Sequence, residues 1–450
     1  MTTIHPPPEK GLHGQVWAMA GPIVLANVSV PLLGAVDTAV VGHLPEPYYI
    51  GAVAIGAMLF NYLYHLFNCL RMGTTGPTAQ ARGAGDPAEV RAIIVRALVL
   101  AGTIGSLLLV LQVPIVTLAL WLIDASPEVE HHAREYFLIR VWALPAVLAV
   151  YAIIGWLYGL RDVRRPLILL LVTSALNIAL DLLFVFGFGW GVSGVAAASL
   201  VAQYCGLALG LYYVLQKLRD MPATQRRAAI FQRDKLVRMV AINSDILLRT
   251  LCVVSVLGFF MAKSAALGDV ALAANQVLHT FLVFTSFALD GFAHAAETIL
   301  GETVGRRDRS RFLQARRVVF FWSAVAGLVA MTAFAVFGEG IIALLTSIPE
   351  VRASAVYYLI WPVIMPLASV WAYTYDGVYL AATRTRIMRN SVIASFGIFL
   401  VLLHTLPPLL GNHGLWIAVF GFLGGRGLML HLAFPALVRT LPSTVSHVGT

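Results

Sequence analysis

The chain has 450 residues, of which 59% are hydrophobic and 12% charged, with a mean hydropathy of +0.82, whereas soluble domains hold roughly 45 to 50% apolar residues. That balance excludes a soluble enzyme or binding module and requires an integral membrane protein. The net charge of +9 would point to nucleic acid only if the basic residues shared one patch, and they are dispersed over many short loops.

About twelve apolar runs follow one another, each near the roughly 20 residues that cross a bilayer. The start, MTTIHPPPEKGLHGQ, is polar and Pro-rich, unlike a cleaved signal, so the first span is read as part of the mature chain. That span carries Pro22, Pro31 and, in GAVDTAVVGHL, the carboxylate of Asp37 with no cation within six residues. An ionised carboxylate at bilayer depth costs several kcal/mol. Either Asp37 is held in its neutral form and carries a proton, or it sits at the outer end of the span and faces water. Pro22, fifteen residues before Asp37, leaves a backbone carbonyl unpaired and makes a hinge.

The second span offers Asn61 and Tyr62, and NCLRMGTTG places Arg71 within apolar surroundings. Pro114 and Pro145 interrupt the third and fourth spans. The fifth contains NIALD, in which Asn177 and Asp181 are four apart and share a helix face. The sixth carries Ser199 beside Ala198 in AAASL, and then Tyr204, which either packs or lines a cavity. A basic linker, KLRDMPATQRRAAIFQRDKLVR at 217–238, separates an N-lobe, 1–216, from a C-lobe, 239–450.

In the seventh span Asp245 and Arg249 are spaced as a ladder pair. The eighth places Asp290, His294 and Glu297 on one stripe, the tenth holds Pro362, Pro366 and Asp376, and the twelfth holds Arg426. Three readings stand for the C-lobe charges Arg249, Asp290, Glu297 and Asp376: a structural pair of Arg249 with Asp290, a second cation site, or substrate contact. Arg71 and Arg426 either neutralise a carboxylate or snorkel to an interface. Asn61, Tyr62, Tyr204, Phe281 and Phe284 are the candidates for a substrate cavity, because the second and eighth spans should border a cleft. Aromatic walls with few charges suit bulky amphipathic cations.

Cys69, Cys205 and Cys252 lie within spans and read as small core residues; they and the scattered His65, His279, His404 and His431 show no metal spacing. No metal site and no organic cofactor are expected. Assigning loops alternately to two sides puts 24 of the 31 basic residues on one side. The positive-inside rule makes that side cytoplasmic and places both termini there. The basic excess is therefore a topology signal, and no nucleic-acid partner is expected.

The sequence also resembles itself at a shift of about 220 residues. SPEV at 126–129 recurs as IPEV at 348–351 and YFLI at 136–139 as YYLI at 357–360; Gly85, Arg91 and Arg96 match Gly305, Arg311 and Arg316. The expected fold is all-α and polytopic, two six-helix lobes related by a parallel repeat. Such duplication suits alternating access around a central cavity. The acid pair does not recur, because positions matching Asp181 fall near Leu402 and Leu403.

GAGDP after the second span, NIALD followed by GWGVSGVA, ALDGFAHAAE in the eighth span and ATRTRIMRNS after the tenth resemble the multidrug and toxic compound extrusion family, and most closely its DinF-like branch. The resemblance covers essentially the whole chain. It implies a cation-coupled exporter, driven in this branch chiefly by protons, in the inner membrane of a bacterium, working as a monomer. It also implies that Asp37, Asn177 and Asp181 form a protonation site in the N-lobe, completed by a hydroxyl of the sixth span at Ser199, with Ala198 the other occupant of that place. Protonation would bend the first span at Pro22 and expel the substrate. Sodium coupling and a lipid-linked precursor flippase are the alternatives. A membrane-embedded enzyme lacks support, since no HExxH, GxSxG or paired-His motif appears in the spans.

Overall fold

Within hydrocarbon a backbone has no hydrogen-bond partner except itself, so long apolar runs become helices. The computed structural model describes residues 11–41, 47–123, 125–221 and 230–441, and the side chains of 28–47 fall outside the described residues. The first half folds as α1 (Leu12–Val41), α2 (Pro47–Phe67), α3 (Cys69–Gly83), α4 (Pro87–Val110), α5 (Gln112–Ile123), α6 (Pro127–Arg140), α7 (Leu144–Gly159), α8 (Arg164–Leu182) and α9 (Gly191–Arg219). The second half gives α10 (Arg233–Ala266), α11 (Asp269–Gly305), α12 (Arg309–Leu345), α13 (Pro349–Tyr358), α14 (Ile360–Ala381), α15 (Thr385–Thr405), α16 (Pro407–Leu410) and α17 (Asn412–Thr440). No strand occurs among the described residues. Ten stretches among them are long and apolar enough to cross a membrane, with the bent pair α13 and α14 as an eleventh. Helix α1, which carries the first apolar run, is 30 residues long.

The duplication is visible in the backbone. Helices begin at Pro47 and Asp269, Pro87 and Arg309, and Pro127 and Pro349, each pair 222 residues apart. Left-handed residues pair at the same interval, Gly85 with Arg307 and Arg161 with Thr383. So do two helix caps: the Asp86 carboxylate accepts the Glu89 N–H at 2.9 Å, and Asp308 accepts the Arg311 N–H at 2.8 Å. Prolines also shape the halves alike. Pro145 cannot donate to Val141, where the chain tightens into a 3-10 turn, Val141–Ala143. Pro362 cannot donate to Tyr358, where α13 and α14 meet at 43°.

The chain divides into two compact units, Leu25–Leu247 (the N-unit) and Met1–Val24 with Leu248–Thr450 (the C-unit). The divisions fall inside α1, two residues after Pro22, and inside α10. In the N-unit, Trp156 packs with Val90, Ile93 and Ile94 and donates its indole N–H to the Val90 carbonyl at 2.9 Å. Around the linker, Arg91 donates to the Leu218 carbonyl at 2.6 Å and Arg96 to that of Ile230 at 2.6 Å. Glu89 takes Arg96 at 2.8 Å and Lys235 at 2.5 Å. Residues 222–229 of the linker lie outside the described residues. In the C-unit, Asn275 and Asn412 exchange hydrogen bonds at 2.7 and 2.9 Å, and Trp416 donates to Asn275 at 3.0 Å. Cys69 is buried but Cys205 is exposed, which corrects its reading as a core residue.

Both units bring two backbones together at a glycine. A Cβ on Gly155 of α7 would lie 2.2 Å from the Arg71 carbonyl oxygen of α3, and one on Gly377 of α14 would lie 2.3 Å from that of Ala293 in α11. Small residues let membrane helices approach this closely. Gly377→Ala is expected to destabilise by about 1–3 kcal/mol, read as a lower thermal midpoint in detergent. Gly340→Ala, with nothing within 4 Å of its added carbon, should leave the midpoint in place or raise it slightly.

Candidate functional site

Helix α8 buries Leu169, Thr173, Asn177 and Asp181 at steps of four, which set the side chains in one stripe along a face. Asp181 is 0% exposed. The stripe meets α9 along Ser199, Ala202, Gly206 and Gly210, also at steps of three or four. These small residues admit a close approach; a Cβ on Gly206 would stand 2.5 Å from the Thr173 hydroxyl oxygen. The Asn177 amide donates to the Ser199 hydroxyl at 3.4 Å. Of the two neighbours weighed in the sixth span, Ser199 is the one whose side chain meets the stripe. Directly beyond, Leu183–Gly187 forms a π-helical turn, a distortion frequent at functional sites.

The same face in the other half lacks the amide and the carboxylate. Helix α15 buries Ser391, Ser395, Phe399 and Leu403, each 222 residues after its counterpart in α8. Phe399 and Leu403 pack into the C-unit core with Phe260, Trp416 and Phe422. A carboxamide and a carboxylate thus occupy, in the N-unit, places that the duplicated scaffold fills with phenylalanine and leucine. Together with the Ser199 and Thr173 hydroxyls, they offer oxygens that can hold a proton or a small cation. Thr173 is not evident as a site residue from NIALD alone; the signal was its spacing, four residues before Asn177.

The C-unit gathers charges from three helices. Asp376 of α14 accepts from Arg249 of α10 at 2.5 Å and also from Arg426 of α17. Arg426 further lies over the Tyr373 ring, 5.9 Å from its centre, and Tyr373 shares a 2.7 Å hydrogen bond with Ser286 of α11. Arg249 is thus bound to Asp376, a contact that none of the sequence readings contained. Asp290 contributes to the electrostatic field on both guanidiniums. His294 and Glu297, both buried, stand 3.5 Å apart on α11. The charge of Asp376 is matched by two guanidiniums, an arrangement suited to holding helices together.

The remaining sequence candidates separate. Asp37 lies in the helical backbone of α1, but its side chain is among those outside the described residues. Pro22 sits within α1 as an uninterrupted helix. Asn61 and Tyr62 are exposed, as is Phe284. Tyr204 is exposed and donates its hydroxyl to the Trp142 carbonyl at 3.0 Å. Phe281 is 1% exposed and packs edge-on to Phe334 with ring centres 4.9 Å apart. It packs within the C-unit core beside Phe334 and Leu278.

Comparison with known proteins bears on this arrangement. The MatE family model matches residues 22–183 and 246–405. DNA damage-inducible protein F of Escherichia coli is 42% identical over 417 residues, covering 92% of this chain and 90% of that protein. A probable multidrug resistance protein NorM of Caulobacter vibrioides is 27% identical over 330 residues, 70% of this chain and 66% of that one. Among solved structures, the MATE transporter VcmN of Vibrio cholerae in its bent form superposes with a TM-score of 0.84 at 22% identity, covering 95% of this chain and 97% of that one.

Proposed function

This chain belongs to the MatE family of multidrug and toxic compound extrusion transporters, and from that premise we propose that it is a proton-coupled antiporter exporting organic cations or other amphipathic toxic compounds. It works by alternating access in the inner membrane of a bacterium, with both termini cytoplasmic. The observation that carries the reading is Asp181, wholly withdrawn from solvent one turn after Asn177, whose amide meets Ser199, where the duplicated position is Leu403. A carboxylate so placed is costly when ionised, and taking up a proton removes that cost. Asp37, in the helical backbone of α1, is the second proton-carrying group. Proton entry would release the substrate as α1 bends near Pro22.

The C-unit charges have a structural role in this reading. A cation entering beside Asp376 would meet two guanidiniums already bound to it. One coupling site, in the N-unit, therefore accounts for transport. The test is uptake of a fluorescent organic cation into proteoliposomes, with proton and sodium gradients imposed separately. A proton gradient alone should drive accumulation and a sodium gradient alone should not. The reverse outcome would assign the oxygens of Asn177, Asp181 and Ser199 to sodium, and accumulation under neither gradient would reject coupled export of that cation.

A further inference from the structure

A second polar cluster lies in the N-unit, on α6 and the start of α9. In the first turns of α6, the ligand atoms of His131, His132 and Glu135 all lie within 4.8 Å of one another. His131 and Glu135 are one turn apart on one face, and His132 reaches the same carboxylate, its Nδ1 3.3 Å from Oε2. The other carboxylate oxygen accepts the hydroxyl of Ser193, the third residue of α9. The His132 ring is stacked on Tyr48 at 5.3 Å and 7° and edge-on to Tyr49 at 5.0 Å.

We propose that His131, His132 and Glu135 form a binding site for a first-row transition-metal dication such as Zn²⁺. Two imidazoles and one carboxylate, with room for water, suit borderline metals of this class and suit Mg²⁺ or Ca²⁺ poorly. Bonds of roughly 2.0–2.2 Å to such an ion require the ligand atoms to draw closer than they stand. His131 is exposed, so its side chain has the freedom to close. The other two are oriented from behind, Glu135 by Ser193 and His132 by the two tyrosine rings, the kind of outer support that metal ligands use.

The site's position gives it a consequence. Helix α9 runs unbroken from Gly191 to Arg219, so Ser193 and the basic linker lie at opposite ends, roughly 40 Å apart at 1.5 Å per residue. The positive-inside rule then puts the triad on the non-cytoplasmic side. An ion bound there fixes α6 directly, α9 through Ser193 and the start of α2 through Tyr48. External Zn²⁺ would thereby hold three helix ends of the N-unit in one arrangement.

The experiment is equilibrium Zn²⁺ binding to the full-length chain in detergent, purified through a tag without histidine. One ion per chain is expected, with affinity lowered at least about tenfold by His131→Ala or His132→Ala and about tenfold by Ser193→Ala. His65→Ala should change nothing, and millimolar Mg²⁺ should not compete. Absence of stoichiometric binding, or equal binding by the His131→Ala, His132→Ala double variant, would overturn the proposal. Because His131 is exposed, its single variant tests the site even where the others fold poorly. Binding is read without transport, so its outcome is independent of the coupling reading above.

Discussion

Asp181→Asn is expected to reduce gradient-driven export to background while leaving protein yield and thermal stability near those of the parent chain. The substitution keeps volume and hydrogen-bonding capacity but removes the group that titrates. Asp37→Asn should behave in the same way. Asn177→Ala should cost only part of the activity, since water can replace an amide more easily than a proton carrier. The repeat supplies a sharper variant, Asp181→Leu, which copies Leu403 of the other half. This variant removes the titrating group altogether and should export nothing. Export at the parent rate by either Asp181 variant would remove the residue from the coupling site.

Asp376→Ala is expected to lower stability by about 3–5 kcal/mol, the range for breaking a buried pair by deleting one partner. The guanidiniums of Arg249 and Arg426 would both lose their carboxylate, and the Arg426 side chain has only 2% of its surface exposed to recruit water. Arg426→Leu should be milder, because Asp376 then retains Arg249. Yield and thermal midpoint in detergent are the measurements. A normal midpoint with lost transport in the Asp376 variant would move the cluster from structure to the transport site.

Much of this was legible in the sequence, for physical reasons that differ by element. Apolar runs must be helices in hydrocarbon, and the spacing of Asn177 and Asp181 fixes a shared face whatever the helix packs against. The pairing of Arg249 was not legible, since spacing reports neighbours within a helix, whereas Asp376 lies 127 residues away. The repeat register was read from residue identity, which drew Gly85 to Gly305. Backbone conformation matches it to Arg307, the other left-handed residue just before an aspartate cap. Phe281 and Phe284 illustrate the remaining gap: Phe281 is buried against Phe334 of another helix and Phe284 is exposed, and that contact between distant positions is not written in local spacing.

The most direct test of the N-unit coupling site is proton release on substrate binding. Purified chain in weakly buffered detergent solution, titrated with an organic cation in the presence of a pH indicator, should release protons in the parent and fewer in Asp181→Asn, although both bind the cation. Equal proton release from the Asp181 variant, or cation binding by the parent with no proton released at any pH, would contradict the account.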